Sequence, residues 1–172
     1  MNLPVARRSQ WLGWIFLIGL VGFVLVKRMP TIVGQFRSQG QHLPTFSVPL
    51  IRGGYYDSAH DPRKRALVFW ATWCGPCEVE LGRLQQMIDA HEIDSGAVIA
   101  ISISEDEDVV RAASVKRGYT FLIGLDKSGG VAHRLKIPST PTIILRTAEN
   151  KADWISSGIS PTLVPRLRRF FL

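Results

Sequence analysis

Cys74 and Cys77 are the only thiols in this 172-residue chain, and Gly75-Pro76 separates them in a Cys-x-x-Cys. At that spacing one sulfur can attack a disulfide and the other can resolve the mixed disulfide that results. An apolar run of strand type, Ala66 to Ala71, leads into the pair, and a helical pattern with Leu81, Leu84 and Ile88 on one face follows it. The cysteines therefore belong to a strand-to-helix turn. Pro76 suits the first helical turn, where a missing N–H is no loss, and Cys74 falls at the helix N-terminus among unpaired donors. Those donors and the positive end of the helix dipole favour a thiolate at Cys74. The spacing predicts an exposed, nucleophilic Cys74 and a more buried, resolving Cys77.

The string Phe69-Trp70-Ala71-Thr72-Trp73-Cys74-Gly75-Pro76-Cys77 resembles the thioredoxin superfamily. Within it the likeness is to the membrane-anchored TlpA/ResA/DsbE-like thiol-disulfide oxidoreductases, over Thr45 to Leu172. The resemblance implies an α/β thioredoxin fold, a central mixed sheet flanked by helices, with an N-terminal hairpin extension. It further implies that Pro141 is a cis-proline facing the cysteines. The backbone at Thr140 would then pair with an extended substrate segment, and Trp73 would wall the substrate groove. Relatives of this kind carry a functional acid three residues after the second cysteine, which here is Glu80, one helical turn beyond Cys77 and on the same face. A half-buried carboxylate there could shuttle the Cys77 proton. The other reading is a glutamate that complements the helix dipole, a part Glu78 fills more plainly. Two departures stand out: thioredoxin's buried aspartate is replaced by Val68, and the proline often found after the acid is Gly82.

Composition narrows the alternatives. With 46% hydrophobic residues the chain can pack one globular domain with an appendage. The four histidines (His42, His60, His91, His133) are scattered without ligand spacing, and Glu78 follows Cys77 where covalent haem would need histidine. No metal and no cofactor are expected. The net charge of +7 comes in short clusters, Arg7-Arg8, Lys27-Arg28, Arg63-Lys64-Arg65 and Arg166-Arg168-Arg169. They carry no nucleic-acid motif and no interleaved aromatic stripe, so nucleic acid is not an expected partner.

A lipid bilayer fits the first two clusters better. Trp11 to Val26 holds no charged side chain, lies between Arg7-Arg8 and Lys27-Arg28, and begins with Trp11 and Trp14. Snorkelling Lys27 and Arg28 extend it toward the roughly 20 residues of a span. A cleavable signal peptide is the competing reading, but no Ala-x-Ala-like site follows Val26. The expected organisation is a cytoplasmic tail (1–10), a transmembrane anchor (11–28), a linker (29–44) and a thioredoxin-like domain (45–172). Expected export of the catalytic domain, rather than loop charge, sets the orientation: a single pass of a bacterial inner membrane with the domain in the periplasm or other extracytoplasmic space. Having no further cysteine suits an oxidising compartment.

Taken in order, Thr45 to Tyr56 alternates and breaks at Gly53-Gly54 as a hairpin, and Asp57 to Arg65 is a charged turn. A helix runs from Pro76 to His91 and a buried strand from Ala97 to Ile103. Ser104 and Glu107 form a capping-box pattern opening a helix that ends at Gly118. Phe121 to Leu125 is a short apolar run, Val131 to Leu135 a brief helix, and Ile143-Ile144-Leu145 a strand. Asp153 to Ile159 pairs back through Glu149-Asn150-Lys151, and Ser160-Pro161 opens a last helix whose start Pro165 delays or kinks.

These residues point to a monomeric reductase of disulfides in exported proteins, apocytochrome c among the options, recharged by a membrane electron donor of thiol-disulfide type. Gly75-Pro76 places no cation beside Cys74, so the pair should lean reducing. A disulfide-forming oxidase is the rival in the same class. From another class come a tethered chaperone or a Cu(I) site on the two thiolates.

Overall fold

The computed structural model describes residues 14–20, 22–23 and 40–172. Residues 14–20 and 22–23 are helical and fall in the N-terminal unit Met1–Arg37. Among the described residues no helix is long and apolar enough to cross a membrane. The rest of the expected anchor over 11–28, all of the tail over 1–10 and residues 29–39 of the linker lie outside the described residues.

The second unit, Ser38–Leu172, is organised by one strand. β3 (Arg65–Trp70) is buried at every position, as a central strand covered on both faces must be. Its alternation splits the core in two. Ala66, Val68 and Trp70 pack with Cys77, Leu81 and Leu84 of α1 (Gly75–Asp89), Val110 of α2 (Glu107–Lys116) and Leu163, Leu167 and Phe170 of α4 (Leu163–Phe171). Leu67 and Phe69 face the other way, onto Val48 of β1 (Ser47–Pro49), Tyr56 of β2 (Tyr55–Asp57) and Ala132 of α3 (Gly130–Arg134). The five-stranded sheet runs β5-β4-β3-β6-β7, with β4 (Val98–Ile103) and β5 (Leu122–Asp126) parallel to β3 on one side. On the other side β6 (Thr142–Arg146) runs antiparallel to β3, and β7 (Ala152–Ser157) runs antiparallel to β6. This is the thioredoxin-like mixed sheet with flanking helices. The β1–β2 hairpin lies against β5, where Gly124 leaves room for it: a Cβ there would stand 2.7 Å from Val48 Cγ2.

Three expectations need correction. Residues 40–43, assigned to the linker, dock on the sheet: Gly40 N donates to Ala152 O, Ala152 N to Gln41 O and Leu43 N to Asn150 O. That pairing covers the outer edge of β7 at its first residue, Ala152. The capping box at Ser104 does not form. Ser104 adopts φ +57° and donates its N–H to Asp126 O across the sheet, so α2 starts at Glu107 after Asp106, with no side-chain cap bond among the described residues. Arg65, which the sequence places at the end of a charged turn, instead opens β3 and is 2% exposed. Its Nε donates to Asp61 Oδ2 at 2.5 Å and Nη1 donates to Gly96 O. Pro165 falls at the third position of α4, where its N–H would have had no intrahelical partner.

Candidate active site

The turn out of β3 is closed by Cys74 N donating to Ala71 O, and it delivers Cys74 to the N-cap of α1. Gly75 and Pro76 fill the first two helical positions as the sequence requires. Cys74 and Cys77 are joined by a disulfide across a Cα–Cα distance of 5.2 Å. Cys77 N donates to Cys74 Sγ at 3.3 Å and to Cys74 O at 3.0 Å. Once the bridge is reduced, the same N–H and the helix dipole are in place to stabilise a Cys74 thiolate. Cys77 has no exposed surface and Cys74 has 6%. This is the oxidised form, in which the Cys74 sulfur is bonded to Cys77 at the first turn of α1; the exposed Cys74 expected from the sequence belongs to the reduced pair. Trp73 stands beside the pair, 79% exposed.

Thr140 and Pro141 arrive from β6. The Thr140–Pro141 peptide bond is cis. Continuing the β3–β6 register one step beyond Phe69↔Thr142 sets Pro141 opposite Trp70, at the end of β3 from which Ala71, Thr72 and Trp73 lead to the disulfide. Pro141 O accepts from Gly158 N at 2.7 Å, which ties this start of β6 to β7. Thr140 is half-buried and Pro141 buried.

Glu80 is fully buried rather than half-buried. Its Oε1 accepts from Ser160 N at 2.6 Å and from Arg83 Nη1 at 3.2 Å. Arg83 also donates to Ser160 O. Glu80 Oε2 is buried with no hydrogen-bond partner among the described residues. A buried carboxylate oxygen left open is costly, and Glu80 follows Cys77 by three residues, one turn along α1.

Sequence reasoning did not find Arg83, Ser160, Glu105 or Arg117. The spacing of Glu80 and Arg83 is a helical ion-pair signal and was legible. The others act across 33 to 80 residues of chain, where no local pattern exists.

Fold and site define a class: an α/β thiol-disulfide oxidoreductase with its cysteine pair at disulfide distance. The chain belongs to the AhpC/TSA family, whose model matches residues 39–154. It is similar to the sporulation thiol-disulfide oxidoreductase A of Bacillus subtilis, 25% identical over 160 residues, covering 91% of this chain and 93% of that one. Another Bacillus subtilis relative, the thioredoxin-like protein YneN, is 34% identical over 129 residues, covering 70% of this chain and 74% of the other. Among solved structures, StoA of Bacillus subtilis superposes with a TM-score of 0.64 at 25% identity, over 75% of this chain and 97% of that one.

Proposed function

We propose that this chain is a membrane-tethered reductase of disulfides in exported proteins. The observation that carries the reading is Cys74 as N-cap of α1, bonded to the buried Cys77. In the reduced enzyme the Cys74 thiolate attacks one sulfur of a substrate disulfide, forming a mixed disulfide and releasing the other substrate sulfur as a thiolate. Cys77 passes its proton to Glu80 and attacks Cys74 Sγ, which releases the second substrate sulfur and leaves the enzyme disulfide. The substrate gains two electrons and two protons; the enzyme loses them. A dithiol donor at the membrane restores the reduced pair. Thr140 and Pro141 offer the substrate backbone an edge, and the exposed Trp73 offers it an apolar wall.

The apolar stretch Trp11 to Val26 between paired basic residues supports the tether, and the tether supports an extracytoplasmic domain and exported substrates such as apocytochromes. Gly75-Pro76 supports the reducing direction, with a potential nearer thioredoxin than DsbA, two proteins separated by about 150 mV. Insulin reduction driven by a small dithiol tests the chemistry: wild type turns over and Cys74→Ser does not. Activity that survives in Cys74→Ser rules the mechanism out. Equilibration with a glutathione series tests the direction, and a midpoint at the DsbA end reverses it.

A further inference from the structure

The residue two before Cys74 is held from both sides by charged groups that the redox chemistry above does not use. Thr72 N donates to both oxygens of Glu105, at 3.1 and 2.9 Å, and Thr72 Oγ1 donates to Glu105 Oε1 at 2.5 Å. Glu105 Oε2 also accepts from Ser102 Oγ at 2.6 Å, which anchors the carboxylate to the end of β4. On the other side Thr72 O accepts from Arg117 Nη2 at 2.9 Å, and that same nitrogen donates to Glu78 Oε2 at 3.0 Å. Arg117 thus bridges the loop before Cys74 and the first turn of the helix after it.

The placement of both groups follows from how α2 begins and ends. The left-handed Ser104 lifts Glu105 out of the helix that the local pattern would have drawn it toward. At the far end Gly118, at φ +68°, closes α2 with Gly118 N donating to Val115 O and Tyr119 N to Ser114 O, which leaves Arg117 as the C-cap. Between the two clamps Thr72 has no freedom to turn. Trp73 is held outward and Cys74 is held at the N-cap.

We infer that Glu105 and Arg117 are positioning residues for the cysteine pair, which fix the backbone at Thr72 and, through opposite charges, set how readily Cys74 ionises. This inference rests on Cys74 being the nucleophile. Two residues of backbone span at most about 7 Å and each charged group is bonded to Thr72, so both charges lie on the order of a Debye length from Cys74. The charged groups that face it are Glu78, Glu80 and Arg83 on its own helix, with Glu105 and Arg117 from α2 and the loop before it. Tyr119, packed edge-on against Trp70, is the nearby phenol; burial raises its pKa, an effect Arg117 opposes. Arg117 favours the thiolate and restrains Glu78, which would otherwise oppose it; Glu105 disfavours the thiolate. Stabilising the thiolate stabilises the reduced enzyme and makes the pair more oxidising. The clamp therefore balances the redox pair as well as shaping it.

The test is the rate of iodoacetamide alkylation of the reduced full chain against pH, together with its midpoint in a glutathione series. Arg117→Gln moves the alkylation midpoint up by about half a pH unit or more and makes the pair more reducing. Glu105→Gln keeps an acceptor for Thr72 N, moves the midpoint down by a similar amount and makes the pair more oxidising. Arg117→Lys keeps the charge without the two-ended bond and stays nearer wild type than Arg117→Gln. Arg111→Gln, which removes an exposed cation paired to Glu107 on the same helix, moves neither readout. Shifts of one sign in both glutamine variants, or none in Glu105→Gln, overturn the inference even if only that variant folds. Alkylation needs no protein substrate, so failure of the redox reading would appear separately, as wild type that does not reduce insulin.

Discussion

Two buried carboxylates flank β3, and they are treated in opposite ways. Asp61, four residues before the strand, is saturated: Arg65 Nη2, Arg63 Nε and Arg63 N reach Oδ1, and Arg65 Nε reaches Oδ2. Burial alone would raise its carboxyl, but the bonds and charge of Arg65, helped by Arg63, hold it below the ordinary 3.8. Arg146 closes the same end by donating to the backbone oxygens of Ser58, Asp61 and Arg63. Glu80, beyond the other end of the strand, shares one oxygen between Arg83 and Ser160, and the second has no partner among the described residues. The saturated acid is committed to holding the fold. The unsaturated one, three residues after Cys77 on α1, keeps an oxygen without a partner among the described residues, and it is the acid to which the proposed chemistry assigns the proton.

The contrast breaks if the two sites respond alike to substitution. Arg65→Met leaves Asp61 buried without its main partner and should cost about 3–5 kcal/mol of stability in urea unfolding, while insulin turnover per folded molecule stays near wild type. A loss below about 1 kcal/mol would show that the Asp61 site is not structural. Glu80→Gln should do the reverse. Turnover falls about a hundredfold, in the range for a lost proton-transfer group, and stability changes by no more than about 1 kcal/mol. A comparable loss of stability with unchanged turnover would make Glu80 a second structural acid. Gly124→Ala separates packing from charge: a Cβ pressed on Val48 should cost about 1–3 kcal/mol, again without touching turnover. The smallest effect is on pH dependence. Because the folded Asp61 carboxyl is depressed, its contribution is fully present above 3.8 and is lost as pH falls through the lower folded value. Urea midpoints of wild type should therefore fall more steeply below pH 4 than those of Asp61→Asn.

How much of this could be read from the chain depends on how local the cause is. The sheet was legible because strands buried on both faces show as short apolar runs, and β3, β4 and β6 lie where Ala66 to Ala71, Ala97 to Ile103 and Ile143 to Leu145 placed them. The hairpin and the stop of α2 at Gly118 were legible from glycine. The cysteine pair at a helix start was legible because its whole geometry is contained in seven consecutive residues, Ala71 to Cys77. What failed was local pattern overruled by distant partners. Ser104 and Glu107 satisfy a capping box, yet the bond from Ser104 to Asp126 in β5 takes the backbone elsewhere and frees Glu105 for Thr72. Arg65 reads as one more cation of the Arg63-Lys64-Arg65 cluster, and only the meeting of Asp61 and Gly96 draws it inside. The open oxygen of Glu80 was equally invisible, since it depends on which partners fail to arrive.

The proposed chemistry depends on the inequality of the two sulfurs. Reduced full chain treated near pH 7 with less than one equivalent of iodoacetamide, then digested and mapped by mass spectrometry, measures it directly. Label on Cys74 in at least about tenfold excess over Cys77 is the predicted result. Equal labelling, or label found first on Cys77, would contradict it.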